Sequence, residues 1–438
     1  MKDVLLYNDD RTVVIGVADS SVTVVDIPPF IREIASEAFC GCSELKDIDI
    51  PDSVMFIGDS AFKGCKNLRE IIIPSSIKTI KGHSFENCGS LKSVVLPNGL
   101  VTIEDEAFYG CYSLQQVLIP DSVMQIGKSA FSRCEGISEI RLPSGISSIE
   151  DGTFHGCEKL HTLFLPDTLK SIGYSSLSGC KQLRNIDIPD TVEYIGEYAF
   201  SCCKSLKHIK IPGKLKNMGD LAFYQCNNLS DVQFSPETAH IGDCPFFGCD
   251  SLSHIYVPDN NIYFTFEQNA LFNKDKTTLI FCLSICEGTY NIANSVKYIH
   301  RLAFSACNKI SQVILPNTIT HIEELAFFEC TNLSKLVLPE GLVAIGDWAI
   351  AHCHSLISVS IPSTIRTIPR SLFDDCNSIR ELFVQFEDPY AVDVDSKAFV
   401  SLYSQCTLFV PRGHRWSYRQ HPTWGSFESI QIIDALAF

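Results

Sequence analysis

The amino-acid sequence predicts a repeat solenoid, a right-handed superhelix of about fifteen coils, mostly β-strand and turn with short helical arcs. Two observations carry that expectation. Ten cysteines, Cys42, Cys65, Cys88, Cys111, Cys134, Cys157, Cys180, Cys203, Cys226 and Cys249, stand 23 residues apart without a slip, and the beat resumes at Cys307, Cys330, Cys353 and Cys376. Between beats one apolar pattern returns, as in Leu68, Ile71, Ile73, Pro74, Ile77, Ile80, Phe85 and Cys88. A fixed period in the twenties means stacked units, none of which can bury its apolar face alone. The 438 residues would ordinarily mean about three domains, but a solenoid grows by adding rungs.

The chain divides in order. Residues 1–41 form an N-terminal β-hairpin module and first coil, because Leu6 to Thr12 matches Leu271 to Thr277. The match holds at an offset of 265 without a gap as far as Cys42 and Cys307. Two apolar runs around a polar Asn-x-Asp turn read as a β-hairpin. A solenoid end normally needs a cap. A hairpin at residue 6 therefore reads as a cut edge from which a leader, or a leader and a first coil, has been removed. Met1-Lys2-Asp3 and the charged Asn8 to Arg11 are unlike a secretory leader.

Residues 42–258 are regular 23-residue repeats. In each, alternation puts residues such as Ile71 and Ile73 inward on a short strand that proline ends. A turn follows, then Ile77-x-x-Ile80, usually a glycine (Gly58, Gly127, Gly173, Gly196, Gly346), and an Ala-Phe-x-x-Cys arc read as a single helical turn. Residues 259–306 are an irregular repeat with a hairpin near 270, residues 307–384 resume the beat, and residues 385–438 are a capping region. In the cap, strand, helix and strand are expected around Trp416, Tyr418 and Trp424, burying large aromatics over the last coil.

Charge narrows the function. Fifty-one acidic residues against 35 basic ones leave −16 with no basic cluster, which disfavours nucleic acid and anionic lipid as partners. No apolar run is long enough for membrane insertion. The fourteen ladder cysteines read as buried thiols acting as small hydrophobes, since parallel side-chain vectors disfavour disulfides between coils. Off-ladder pairs such as Cys282 and Cys286 could oxidise in a secreted protein. Cys282-x-x-x-Cys286 and His352-Cys353-His354 contain ligand types but no second pair at structural-site spacing, so no metal and no cofactor are expected. Nucleophile elbows, phosphate loops and Cys-x-x-Cys are absent, and Ser and Asp recur at turn slots, so no catalytic residue is assigned.

A binding surface is placed on outward strand positions. Coil by coil they read Asp49, Ile72, Val95, Leu118, Arg141, Phe164, Asp187 and Lys210, varying freely while inward positions hardly change. Ile72, Val95 and Leu118, with Arg141 and Phe164 beyond, form the candidate partner-binding stripe, edged by Glu70, Ser93, Gln116, Glu139 and Thr162. The bland alternative is that β-branched residues simply favour strand surfaces.

The string Leu-x-x-Ile-x-Ile-Pro-x-x-Val-x-x-Ile-Gly-x-x-Ala-Phe-x-x-Cys resembles the BspA-like (Treponema-type) leucine-rich repeat. The hairpin around Leu271 to Ile280 and the ending Cys406 to Gly413 are similar to recurrent parts of those proteins. The resemblance implies a leucine-rich-repeat horseshoe and a non-enzymatic, adhesin-like protein, secreted or on a bacterial cell surface. Its partner would be a protein, such as a host or matrix surface protein. A structural spacer and an intracellular interaction module are the alternatives.

Overall fold

The structure is a computed structural model and describes residues 4–433. Residues 1–3 and 434–438, the ends of the N-terminal module and of the capping region, lie outside the described residues. The chain forms two compact units, Met1–Asp250 and Ser251–Phe438, and each is a stack of coils.

One coil of the first unit shows the construction. Leu68, Ile71, Ile73, Ile77, Ile80, Phe85 and Cys88 are all buried. The front strand Glu70–Ile72 pairs in parallel with the next coil's Ser93–Val95, and the rear strand Thr79–Ile80 pairs with Thr102–Ile103. Pro74 ends the front strand because it has no N–H to donate, and its carbonyl accepts Ile77 N at 3.1 Å to close the turn toward the rear strand. The glycine after the rear strand is there for space. A Cβ on Gly127 would stand 2.5 Å from the backbone nitrogen of Asp105 in the coil before it.

The Ala-Phe-x-x-Cys arc corrects an expectation, since it is a run of turns and not a helical turn. His83, Phe85 and Asn87 donate their N–H groups to Asp105, Ala107 and Tyr109 of the next coil, at 3.1, 2.8 and 2.7 Å. The alternate groups, on Ser84, Glu86 and Cys88, close turns onto Lys81, His83 and Phe85 within the coil. A helix would send every N–H four residues back. The left-handed backbone at His83 (φ 56°) and Asn87 (φ 59°) prevents that and aims alternate donors along the stack.

The position before each ladder cysteine is left-handed in most coils. Glycine occupies it at Gly41, Gly64, Gly110, Gly156, Gly179 and Gly248, where it avoids a strain of about 1–3 kcal/mol. The arc also carries two ladders of side chains. Phe39, Phe62, Phe85, Phe108, Phe131 and Phe154 stack with near-parallel rings, the first pair at 5.3 Å between centroids. The thiols are more than small hydrophobes. Cys88 Sγ donates to Phe62 O at 3.1 Å and Cys111 Sγ to Phe85 O at 3.2 Å, and the contact repeats up the stack. Burial pushes the thiols of Cys88, Cys134 and Cys180 well up and that of Cys157 to about 12.

Both expected hairpins form. Leu5–Tyr7 pairs antiparallel with Val13–Val17, which hands over in parallel to the rear strand Glu33–Ile34. In the second unit Ala270–Asn273 pairs with Thr278–Cys282, and an unforeseen strand, Phe264–Glu267, pairs with the outer edge of Ala270–Asn273. The turn between those two is Gln268-Asn269, both left-handed.

The C-terminal segment is strand (Thr407–Val410), helix (Arg415–Gln420), a short 3-10 turn (Trp424–Ser426) and strand (Ser429–Ile432). Its strands continue the front sheet in parallel register from Ser358–Ile361 and Glu381–Val384. Tyr418, Trp424 and Phe427 are buried, and Tyr418 Oη donates to Phe386 O at 2.8 Å, whereas Trp416 is 74% exposed and takes no part in the cap's core. Coils without a ladder cysteine, at His254–Tyr256 and from Glu381 onward, bring the turns to about 18 instead of fifteen.

Candidate interaction surface

The stripe residues lie on one unit, Met1–Asp250. Alternation on each front strand turns the middle residue inward and its neighbours outward, so Val94 is buried while Val95 faces solvent. Ile72 stands opposite Val95 across the parallel pair, and Leu118 follows Val117, which pairs with Val94. Their exposures are 68% for Ile72, 56% for Val95 and 81% for Leu118. Burying such a side chain is worth about 1.5–3 kcal/mol, so three exposed on successive coils hold considerable unused driving force. β-Branching explains Ile72 and Val95 on a strand surface, but not Leu118.

Arg141 stands opposite Phe164 on the next front pair, with its guanidinium 4.3 Å from the ring centroid. That contact fixes a long side chain flat on an aromatic face, a pre-organised arrangement for recognition. Beyond Phe164 the front ladder is interrupted, because Asn185 to Ile188 form no strand. An open groove of about 370 Å³ lies there, lined by residues including His161, Phe164, Asn185 and Asp187.

The turn-slot polar residues have structural work. Ser122 Oγ donates to Leu100 O at 2.6 Å and Thr191 Oγ1 to Leu169 O at 2.8 Å, while Asp105 and Asp151 accept Lys128 N and Tyr174 N from the next coil. Lys81 pairs with Glu104 and Lys128 with Asp151 at the same one-coil spacing. Such exposed pairs contribute little to stability, because water and salt screen them.

Three groupings were not read from sequence. Met55, Val101 and Met124 are exposed beside the rear strands, where the middle of each Ile-x-x-Ile run points outward. Tyr174, Tyr198, Tyr224 and Phe247 make a diagonal of contacting rings across successive coils, detectable only as spacings near 23 to 26. In the second unit His352 and His354, read as variable turn residues, both meet Asp375 of the next coil. Cys282 and Cys286 also come together, their sulfurs 3.4 Å apart. Among the described residues no helix is long and apolar enough to cross a membrane.

Comparison with known proteins places this geometry. A family profile described as the BspA type leucine rich repeat region matches in six copies, over residues 18–138, 79–188, 147–278 and 280–401. Among solved structures the chain is similar to a leucine-rich repeat protein from Bacteroides ovatus, at 25% identity and a TM-score of 0.58, covering 99% of both chains. It is also similar to one from Eubacterium ventriosum, at 22% identity and a TM-score of 0.57, over 63% of this chain and 73% of that one. The pneumococcal vaccine antigen PcpA has the same fold at 17% identity and a TM-score of 0.51, over 96% of this chain and 92% of that one. No curated protein matches.

Proposed function

This chain belongs to the BspA-type leucine-rich repeat family, whose solenoids are protein–protein interaction modules, and from that premise we propose that its front sheet binds a protein through Ile72, Val95, Leu118, Arg141 and Phe164. The protein is a non-enzymatic, adhesin-like recognition molecule, secreted or held at the cell surface, and its partner is a host or matrix surface protein. The observation that carries the reading is the exposure of Ile72, Val95 and Leu118 at matching positions of successive coils, the first two directly paired, with the stacked Arg141 and Phe164 on the next two coils. Large apolar side chains next to an aromatic–arginine pair are what energetic centres of interfaces are made of. The partner therefore presents an apolar patch, with donors for the flanking Glu70 and Glu139.

The test is adherence of the purified chain to host cells and immobilised matrix proteins, comparing parent with an Ile72→Asp, Leu118→Asp double variant. Both positions are exposed, so the unfolding midpoint should be unchanged, while binding should fall by about a hundredfold, from two lost contacts of about 1.4 kcal/mol or more each. Equal binding by the folded variant would move recognition off this sheet.

A further inference from the structure

We infer that His352, His354 and Asp375 form a binding site for a divalent transition-metal ion of the zinc class. His354 Nε2 lies 2.9 Å from Asp375 Oδ2, and His352 Nδ1 lies 3.3 Å from the same oxygen. All three donor atoms fall within 4.8 Å of one another. A tetrahedral zinc ion held at about 2.0–2.2 Å from nitrogen and oxygen donors puts those donors roughly 3.4 Å apart, so the side chains need move little to admit one. The shell behind the donors is built. Asn377 donates its side-chain N–H to the other carboxylate oxygen, and Phe328 packs its ring against His352 at 4.9 Å between centroids.

A comparison within the molecule sets this cluster apart, and it lies in the partners of the carboxylate and not in the backbone. His352 (φ 59°) and Asp375 (φ 53°) stand in the left-handed slot before the ladder cysteine, which six coils of the first unit fill with glycine. Asn87, Arg133, Cys202, Gln225, Ala306 and Glu329 fill the same slot elsewhere, so the slot aligns side chains of consecutive coils without itself marking a ligand. The other cluster of similar composition, His83, Glu86 and Glu106, already has its cation, because Lys63 Nζ sits 2.7 Å from Glu86. Asp375 is met by His352, His354 and Asn377 instead of a lysine or arginine. His352 and Asp375 are part-exposed and His354 is exposed, so a bound ion keeps a face open to water.

The experiment is a titration of the full reduced chain with Co²⁺, followed by displacement with Zn²⁺. The expected result is one equivalent bound, with visible d–d absorption, no thiolate-to-cobalt charge-transfer band, and loss of the spectrum on adding zinc. His354→Ala and Asp375→Asn should each weaken binding at least tenfold, Asn377→Ala by about tenfold, and His83→Ala not at all. His352→Gly separates a metal role from a packing role, since it should lose the ion while keeping or raising the unfolding midpoint. Undiminished binding by folded His352→Gly or Asp375→Asn overturns the site. So does a thiolate band, or no saturable binding by about 1 mM metal.

Discussion

The same hairpin occurs twice in this chain, and the two copies differ in the burial of their outer edge. Leu5, Leu6 and Tyr7 pair with Val17, Gly16 and Val14, while Ala270, Leu271 and Phe272 pair with Cys282, Phe281 and Leu279. Even the register shift falls at the same place, after Leu6 and after Leu271. Both copies then hand over in parallel to a rear strand, Val13 and Val14 to Glu33 and Ile34, and Thr278 and Leu279 to Tyr298 and Ile299. Among the described residues an added strand, Phe264–Glu267, lies along the edge of the second copy, and the positions that would match it in the first lie outside them. Leu6 is 45% exposed, and its counterpart Leu271, beside that strand, is fully buried. Local sequence builds the hairpin, and its neighbours decide which of its side chains become core.

The largest expected effect tests that lesson directly. Leu271→Asp should cost several kcal/mol, because it puts a charge into a closed apolar site, while Leu6→Asp should stay within about 0.5 kcal/mol. Urea midpoints of the two variants measure it. Similar losses would break the comparison, since the covering strand would then not matter.

The turn should behave alike in both copies. Asn8 Oδ1 accepts Thr12 N and Val13 N at 2.9 and 3.0 Å, and Asn273 Oδ1 accepts Thr278 N at 2.8 Å. Thr12 N keeps its second acceptor, Asp10 Oδ1, so Asn8→Ala strips Val13 N and Asn273→Ala strips Thr278 N of an acceptor, and each should cost about 1–3 kcal/mol. A large difference between the two would mean that the turn leans on its surroundings.

A chemical difference sharpens the contrast further. Cys282 and Cys286 are replaced in the first copy by Val17 and Ser21. The hydrogen bond from Cys282 lowers the Cys286 thiol below its ordinary range, making it the better nucleophile of the buried pair. Mild diamide treatment should therefore remove two thiols, forming an S–S bond while the oxidant takes up two electrons and two protons. Peptide mapping should find the bond between Cys282 and Cys286. Closing so short a loop should stabilise the module by no more than about 2 kcal/mol. Oxidation of ladder thiols instead would contradict their burial and their bonds to carbonyls.

How much of this was legible in the sequence differs from part to part. The 23-residue beat, the inward Ile71 and Ile73, and both hairpins follow from periodicity and turn chemistry, which are properties of residue type. The arc misleads because Ala, Phe and Cys at helical spacing also suit a chain of turns. Its left-handed positions are occupied by His83 and Asn87 as readily as by glycine, so only Gly41, Gly64 and Gly110 hint at them. The strand Phe264–Glu267 is hidden for the same reason, its two-residue turn being Gln268-Asn269 in place of a glycine pair. The outward row of Ile72, Val95 and Leu118 could be placed from alternation alone. The meeting of His352, His354 and Asp375 could not, because stacking adjacent coils creates it.

The smallest effect is electrostatic and should appear in both hairpins. Asp10 accepts from the hydroxyl and N–H of Thr12, Asp275 from those of Thr277, and these hydrogen bonds hold both carboxyls below the ordinary range. A carboxyl with a lower pKa in the folded state than in the unfolded chain stabilises the fold above the unfolded value of about 3.9. That contribution is lost as pH falls through the folded value. Asp10→Asn and Asp275→Asn should therefore lower the unfolding midpoint slightly at neutral pH and converge on the parent in acid. Both groups are fully exposed, so the shifts should be small and nearly equal. Lys297 adds a weak attraction at Asp275, so any excess there should disappear when salt screens it. An excess that survives high salt would mean the second hairpin's turn is held by its surroundings as well as by its own threonine.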